Sequence, residues 1–234
     1  MNIAAILAGG SGQRMHLDIP KQFINVNDKP VIIHTLDVFQ QHPDIDSILV
    51  ICIDGWQEIL KAYAKQFGIT KLKWVVSGGQ NGQESAYKGL IELEKFCNAD
   101  DLIIMHDANR PLVTQEIISD GIIKCRKYGS AIAAIPCTEP IFVKNNVESN
   151  ISNKSISRDL LVRTQTPHVF SLGKMLWAHR EALKNGITNS VAIGTIMIEL
   201  GETVCLSIGS EMNFKITRME DLNLFKALIN IVRR

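Results

Sequence analysis

Runs of apolar residues alternate along the chain with stretches in which apolar residues recur every three or four positions. Five nearly continuous apolar runs predict strands that are covered on both faces: IAAIL (3–7), SILVICI (47–53), LKWVVS (72–77), DLIIMH (101–106) and SAIAAIPC (130–137). The amphipathic stretches between them predict helices at 29–42, 55–68, 82–96 and 114–129. This alternation predicts an α/β fold with a doubly wound, mostly parallel sheet, whose ligands lie beyond the carboxyl ends of the strands.

The pattern changes after Cys137, where the chain becomes polar and rich in Asn and Ser. Two β-like patches, IFVK (141–144) and SISRDLLV (155–162), flank a turn-rich middle and predict an extended hairpin, or β-arm, at about 138–157. Alternation then resumes, with helices at about 173–185 and 190–200, a strand TVCLSIG (203–209) and a helix from about Met219. We expect one domain over residues 1–234.

A glycine-rich turn follows the first predicted strand, with Gly9, Gly10 and Gly12 inside four positions. Backbone N–H groups in such a turn bind phosphate oxygens. A P-loop is excluded because no Gly-Lys-Ser or Gly-Lys-Thr follows, and the dinucleotide fingerprint is excluded because Met15 stands at its third glycine.

Two cations accompany this turn, Arg14 within it and Lys21 after Pro20. Arginine offers phosphate a bidentate fork and lysine a point charge, so together they could stabilise a phosphoryl-transfer transition state. The alternative is a tight structural turn with two solvated cations.

Composition restricts the remaining function classes. The 234 residues carry a formal net charge of +1, which argues against a nucleic-acid binder that works by bulk electrostatics. No apolar run is long enough to span a bilayer, and the first residues lack a basic leader, so we expect neither a membrane protein nor a signal peptide. Five scattered cysteines without a C-x-x-C pair indicate reduced thiols and a cytoplasmic location, and disfavour a cysteine metal site.

The signature LAGGSGQRM followed by PKQF resembles that of nucleotidyltransferases that make nucleotide-diphosphate sugars and polyols. The motifs KPVIIHTLDVF, HDANRPLV, RTQTPHVF and NFKITRMEDL narrow the resemblance to the methylerythritol phosphate and ribitol phosphate cytidylyltransferases. This resemblance implies a Rossmann-like three-layer α/β/α fold with a protruding β-arm. It also implies a homodimer that transfers CMP from CTP to a polyol phosphate, with Mg²⁺ as cofactor and pyrophosphate as the second product.

The resemblance assigns roles to single residues. Arg14, Lys21 and Lys215 would act on the reacting phosphates, and Lys215 is expected at the end of a strand. Asp107 ends a buried strand, where a carboxylate can hold Mg²⁺ against a nucleotide, and a helix cap or a structural salt bridge is the alternative. The nucleotide would lie against the turns that carry Ala8, Gly9, Gly10, Gly12, Gly79 and Ser85.

The acceptor phosphate would be bound by Arg158 and by Arg110, the latter reaching across the dimer. For Arg110 a structural ion pair is the alternative, for Ser85 an ordinary position near a helix start, and for Lys215 an outward-pointing residue of an edge strand. His106 could be taken for a general base, but an acceptor phosphate is already ionised near neutral pH, so a packing role is favoured.

The chain departs from the family pattern at three places. Gly82 stands where the family has an arginine, Glu139-Pro140 where it has Asp-Thr, and Asn189-Ser190 where it has an acidic pair. The last two segments lie near the acceptor, and ILAGG is closer to the ribitol phosphate branch, so ribitol 5-phosphate or a related alditol phosphate is favoured over methylerythritol phosphate.

Two other functions are less favoured. An NAD-dependent oxidoreductase is disfavoured by Met15, and a catalytically silent assembly partner is disfavoured by the retained cations and Asp107.

Overall fold

The computed structural model describes residues 1–10 and 19–232, in which strands and helices alternate as the apolar pattern predicts. The strands are β1 (Asn2–Ala8), β2 (Asn25–Val26), β3 (Lys29–Pro30), β4 (Ser47–Cys52), β5 (Leu72–Ser77), β6 (Leu102–Asp107), β7 (Ala131–Pro136), β8 (Ile141–Lys144), β9 (Ser152–Ile156), β10 (Val162–Ser171) and β11 (Leu206–Ile208). The α-helices are α1 (Val31–Gln41), α2 (Gln57–Gln66), α3 (Gly82–Glu94), α4 (Gln115–Tyr128), α5 (Leu172–Lys184), α6 (Ile193–Glu199) and α7 (Met219–Val232). Short 3-10 turns occupy Lys21–Phe23 and Arg158–Leu160.

The main sheet has seven strands in the order β11-β7-β10-β6-β1-β4-β5. β1 pairs in parallel with β4 and β6, β4 with β5, and β7 with β11, whereas β10 runs antiparallel between β6 and β7. The predicted fold class, a Rossmann-like three-layer fold with a mostly parallel sheet, is therefore confirmed. The carboxyl ends of β1, β4, β5 and β6 meet at one edge of the sheet.

Helices cover both faces of the sheet, which explains why its parallel strands have no polar side. α1, α2 and α4 pack on one face, and α3, α5 and α6 pack on the other. Alternate residues of a strand face opposite layers, so Ile6 of β1 belongs to the first core and Ala5 to the second. α7 forms a smaller third cluster around Phe225. Within the described residues, no helix is long and apolar enough to cross a membrane.

The region after Cys137 differs from the prediction in its strand boundaries. β8 and β9 form the expected hairpin, but β9 ends at Ile156, whereas the prediction placed the second strand over 155–162. Most β9 side chains are exposed and polar, so no apolar pattern marks that strand. The motif RTQTPHVF, which was not predicted as a strand, lies inside β10. Its polar half has no apolar strand pattern, because Thr164, Gln165 and Thr166 line the cleft described below rather than a core.

Several other helices and strands are shorter than predicted. The helix expected at 190–200 is α6, and the strand expected at 203–209 is β11. α1 begins after Pro30, because residues 25–30 form a small hairpin, β2–β3. Asn27 and Asp28 make its turn with φ of 50° and 60°, a region that these two residue types tolerate better than most. Thr114 and Gly129 cap α4, with Gly129 at φ 79°.

We expect Phe39→Ala to lower the free energy of unfolding by about 3–5 kcal/mol, the usual cost of deleting a buried aromatic side chain. Phe39 of α1 is fully buried, and its ring centroid lies 5.3 Å from that of the buried His106. The matched control is Phe96→Ala, since the Phe96 side chain is 58% exposed. Urea denaturation measures both, and equal losses in the two variants would contradict the assignment of Phe39 to the core.

Buried histidines make stability depend on pH. His179 of α5 is buried and stacks on Tyr87 with ring centroids 5.4 Å apart, and burial lowers the pKa of His179 from 6.5 to about 4. Between these two values the unfolded chain binds a proton that the folded chain does not, so stability falls as pH falls through this window. Burial likewise lowers the pKa values of His106 and His168 to about 4.

We expect His179→Phe, which keeps an aromatic ring beside Tyr87, to reduce this loss of stability on acidification. Urea denaturation of the wild type and the variant at about pH 7.5 and about pH 5 measures the two slopes. An unchanged difference between the two pH values would contradict a neutral, buried His179.

Candidate functional site

Two glycine turns meet at the carboxyl edge of the sheet. Gly9 and Gly10 follow β1, and Gly78 and Gly79 follow β5. A Cβ on Gly9 would lie 3.3 Å from Oγ of Ser85, and a Cβ on Gly78 would lie 3.4 Å from Cα of Gly9. The two turns are therefore in contact, and a side chain at either position would be close enough to the Ser85 hydroxyl to require a small shift.

Ser85 of α3 holds the second turn in place. Its hydroxyl accepts a hydrogen bond from the backbone N–H of Gly79 at 2.8 Å and donates to the carbonyl of Asn81, also at 2.8 Å. Asn81 caps α3 by accepting from the N–H of Glu84. Around Gly82, where the family resemblance has an arginine, an added Cβ would meet no described atom within 4 Å. This side of the turn is therefore open space.

Asp107, the last residue of β6, lies at the centre of an ionic cluster. Its Oδ1 accepts from Nζ of Lys215 at 2.9 Å, and its Oδ2 accepts from Nε of Arg110 at 3.0 Å. The hydroxyl of Thr166 on β10 accepts from the Asp107 N–H at 3.1 Å. Burial alone would raise the pKa of Asp107, but the two cations outweigh it and hold that pKa well below its usual range. Asp107 is therefore ionised at neutral pH.

Lys215 reaches this cluster from a segment outside any strand, so the prediction of a strand around it is wrong. Hydrogen bonds to residues 109 and 110 hold this segment in place of sheet pairing. The side-chain amide of Asn109 donates to the carbonyl of Ile216 at 2.6 Å, and the backbone carbonyl of Asn109 accepts from the N–H of Ile216 at 2.9 Å. Arg110 donates to the carbonyl of Asn213 at 2.7 Å, and Asn213 donates to the carbonyl of Thr166 at 2.8 Å.

A cleft of about 850 Å³ opens over these turns and the ionic cluster. Its walls bring together nine of the residues that the sequence singles out: Ala8, Gly9, Gly10, Lys21, Gly79, Ser85, Asp107, Arg110 and Lys215. Arg110 lies in the cleft of its own chain, although the sequence led us to expect it to reach across a dimer. Gly12 and Arg14 lie outside the described residues.

Arg158 does not line this cleft. It is exposed at the base of the hairpin, where its guanidinium donates to the carbonyl of Thr138 at 3.1 Å. Within one chain it is therefore separate from the residues around Asp107.

Sequence reasoning missed the polar side chains that fix the walls of the cleft. Thr166 and Gln165 lie on the unpredicted strand β10, and Gln165 binds the carbonyl of Ser210 at 2.8 Å. Gln83 of α3 donates to the carbonyl of Ile187 at 2.6 Å and accepts from the N–H of Ser190 at 2.7 Å. Each of these residues has polar neighbours in the sequence, so no local signal distinguishes it.

The chain is similar over nearly its whole length to cytidylyltransferases. It is 42% identical over 231 residues to a ribitol-5-phosphate cytidylyltransferase of Lacticaseibacillus paracasei, with 98% of each chain covered. It is 34% identical over 229 residues to a 2-C-methyl-D-erythritol 4-phosphate cytidylyltransferase of Clostridium botulinum, with 97% of each covered. The crystal structure of the 2-C-methyl-D-erythritol 4-phosphate cytidylyltransferase of Francisella tularensis matches with a TM-score of 0.80 at 25% identity, covering 96% of this chain and 98% of that one.

The family model described as 2-C-methyl-D-erythritol 4-phosphate cytidylyltransferase (IspD) matches residues 2–231. The suspected resemblance is thereby confirmed, and the chain belongs to the IspD family of nucleotidyltransferase enzymes.

Proposed function

We propose that this enzyme transfers CMP from CTP to a polyol phosphate, with ribitol 5-phosphate or a related linear alditol phosphate as acceptor, and releases pyrophosphate. The observation that carries the proposal is the arrangement of Lys21, Arg110 and Lys215 around a cleft that also contains two glycine turns and Asp107. A cleft of this kind offers backbone N–H groups and fixed cations to several phosphates at once.

In the proposed reaction an oxygen of the acceptor phosphate attacks the α-phosphorus of CTP. A new P–O bond forms, the bond from the α-phosphorus to the oxygen that bridges to the β-phosphate breaks, and its electron pair leaves with pyrophosphate. Lys21, Lys215 and, by resemblance, Arg14 stabilise the negative charge that builds up on the transferred group.

This reaction needs no general base, because the attacking phosphate is already ionised. His106 agrees with that account. Its ring is buried, its Nε2 lies 3.2 Å from the carbonyl oxygen of Arg110, and burial lowers its pKa to about 4. A neutral imidazole bonded to the backbone suits packing rather than proton transfer.

The cleft fits a Mg²⁺ ion that arrives with the nucleotide. In the described residues, His, Cys, Asp and Glu form no group of three that could hold a metal alone. Two carboxylates line the cleft, Asp54 and Asp107, and Asp107 is the one bonded to the cations Arg110 and Lys215. One protein carboxylate with substrate phosphates and water is an ordinary ligand set for Mg²⁺. When bound, the ion would neutralise phosphate charge. Asp107 would hold it by exchanging an oxygen now bonded to Lys215 or Arg110, which leaves that cation for a phosphate.

The preference for an alditol phosphate is supported by the relatives and by local sequence. A relative at 42% identity carries the name ribitol-5-phosphate cytidylyltransferase, whereas one at 34% is named for methylerythritol phosphate. Pro140 cannot supply a hydroxyl, and Asn189-Ser190 lacks acidic acceptors. Ser190 lines the cleft, where Gln83 bonds its backbone. The second candidate acceptor is methylerythritol phosphate, which the family description favours.

The β8–β9 hairpin supports a homodimer. Several apolar side chains in and beside it are largely exposed: Phe142 (69%), Val147 (87%), Ile151 (69%) and Leu160 (83%). A small hairpin with such side chains is stabilised when a second copy covers it.

The cysteines support a cytoplasmic location. All five are free thiols, as expected in a reducing compartment.

We expect Lys21→Ala and Lys215→Ala each to lower kcat by on the order of a hundredfold or more, with a smaller effect on folding, because each removes transition-state charge stabilisation. The control is Lys174→Ala, since Lys174 pairs with Glu202 outside the cleft. Pyrophosphate release with CTP and Mg²⁺ measures the rates, and circular dichroism checks folding. Wild-type turnover in a folded Lys21→Ala protein would refute its role.

We expect kcat/KM to be higher with ribitol 5-phosphate than with methylerythritol phosphate. Loss of one hydroxyl contact to a buried partner costs about 1–3 kcal/mol, or roughly fivefold to more than a hundredfold in kcat/KM. A pyrophosphate-release assay with both acceptors and saturating CTP makes the comparison. A clear preference for methylerythritol phosphate would favour the second candidate, and no release with any acceptor would favour a silent homologue.

We expect a dimer at micromolar concentration in light-scattering or sedimentation measurements. Phe142→Ser together with Ile151→Ser should shift the protein towards monomer, because both substitutions remove exposed apolar surface from the hairpin. Phe96→Ser, on an exposed aromatic outside the hairpin, is the matched control. A fully active wild-type monomer would exclude this assembly.

A further inference from the structure

Gln22 is a buried amide between the two parts of the cleft that handle phosphate. Its side chain is only 2% exposed, and its Nε2 donates to the carbonyl of Ala8 at 2.7 Å and to that of Gly10 at 3.1 Å. Both hydrogens of the amide are therefore used by the glycine turn after β1. Gln22 belongs to the signature PKQF, but neither the family resemblance nor the reaction described above gives it a role.

These bonds set the direction in which the turn presents its N–H groups. In a trans peptide the C=O and the following N–H point to opposite sides. With the carbonyl of Ala8 held towards Gln22, and also bonded by the N–H of Ile53 at 3.0 Å, the N–H of Gly9 is directed the other way. A carbonyl that turned into the cleft would instead present negative charge to a phosphate.

Gln22 also fixes the distance between the turn and Lys21. Both residues lie in the 3-10 turn Lys21–Phe23 and both line the cleft, although the Gln22 side chain is almost fully buried. The other side of that turn is anchored, because Phe23 stacks on Trp56 with centroids 4.6 Å apart. The glycine turn and Lys21 are thus held as one unit.

We propose that Gln22 is a positioning residue, which orients the glycine turn for the triphosphate of the nucleotide and sets its spacing from Lys21. This role depends on the proposed function in one respect only, namely that the nucleotide is CTP. It predicts a defect in triphosphate binding and in kcat, and none in the affinity for the acceptor.

The test compares Gln22→Met and Gln22→Glu with the wild type. Met fills the space without donors, whereas Glu keeps the shape but directs a carboxylate at two carbonyl oxygens. Matched controls are Gln40→Met and Gln40→Glu, because Gln40 also bridges two groups, Oγ1 of Thr70 and the N–H of Lys71, away from the cleft. Calorimetry with inorganic triphosphate and with CTP and Mg²⁺ gives Kd, and steady-state assays give kcat and both KM values.

We expect Gln22→Met to weaken binding of CTP and of inorganic triphosphate about 10–100-fold and to lower kcat, with the KM for the acceptor within about twofold of wild type. Gln22→Glu should bind more weakly still, and the Gln40 variants should bind as the wild type does. A merely structural role would lower the melting temperature of the variants but leave Kd and kcat of the folded protein unchanged.

A folded Gln22→Met protein with wild-type Kd and kcat would overturn the proposal, as would equal losses in the Gln40 variants. If Gln22→Met does not fold, a folded Gln22→Glu protein with wild-type Kd overturns it instead. A wild-type chain that binds inorganic triphosphate but transfers CMP to no acceptor would contradict the proposed function, and the comparison at Gln22 would still be readable from Kd.

Discussion

The site depends on the ion pairs that the carboxylate of Asp107 forms with Lys215 and Arg110. A buried carboxylate without partners is costly, and two neighbouring cations, both partly exposed, would repel each other without it, so Asp107 and each cation stabilise each other. The partners come from separate parts of the chain, since Arg110 lies three residues after Asp107 and Lys215 lies 108 residues after it. Their pairing joins the end of β6, the segment around Lys215 and, through Thr166, the strand β10. The cations that a phosphate needs are therefore in position before any substrate binds.

The sheet topology explains why this cluster lies beside the glycine turns. β1 lies between β4 and β6, so the turn after β1 and the carboxylate at the end of β6 follow adjacent parallel strands. β10 runs in the opposite direction beside β6, and this brings its polar first half to the same edge. A parallel strand at that position would place Thr164, Gln165 and Thr166 at the far edge of the sheet. One antiparallel strand in a mostly parallel sheet thus supplies a wall of the cleft.

Much of this architecture could be predicted from the sequence, because strands covered on both faces must be apolar throughout, as β1, β4 and β6 are. The phosphate-binding chemistry could be predicted from the order of residue types along the chain, such as the glycines followed by Lys21. The strands β9 and β10 and the segment around Lys215 could not be predicted, for physical reasons. The first half of β10 is polar and contains a proline, and β9 is exposed, so neither strand has an apolar pattern. The segment around Lys215 is held by hydrogen bonds from Asn109 and Arg110, which are distant in sequence. Such long-range side-chain bonds leave no local pattern.

The loops of the cleft are fixed mainly by neutral amides. Gln22 binds the turn after β1, Gln83 binds residues 187–190, and Gln165 binds Ser210, while all three side chains are at most 6% exposed. A charged residue in any of these positions would change the potential in the cleft or require a buried counter-ion. Amides satisfy backbone donors and acceptors without that effect. The charge in the cleft is therefore carried by Lys21, by the exposed Asp54 and by the cluster of Asp107 with Arg110 and Lys215, and the members of that cluster must exchange partners when a phosphate binds.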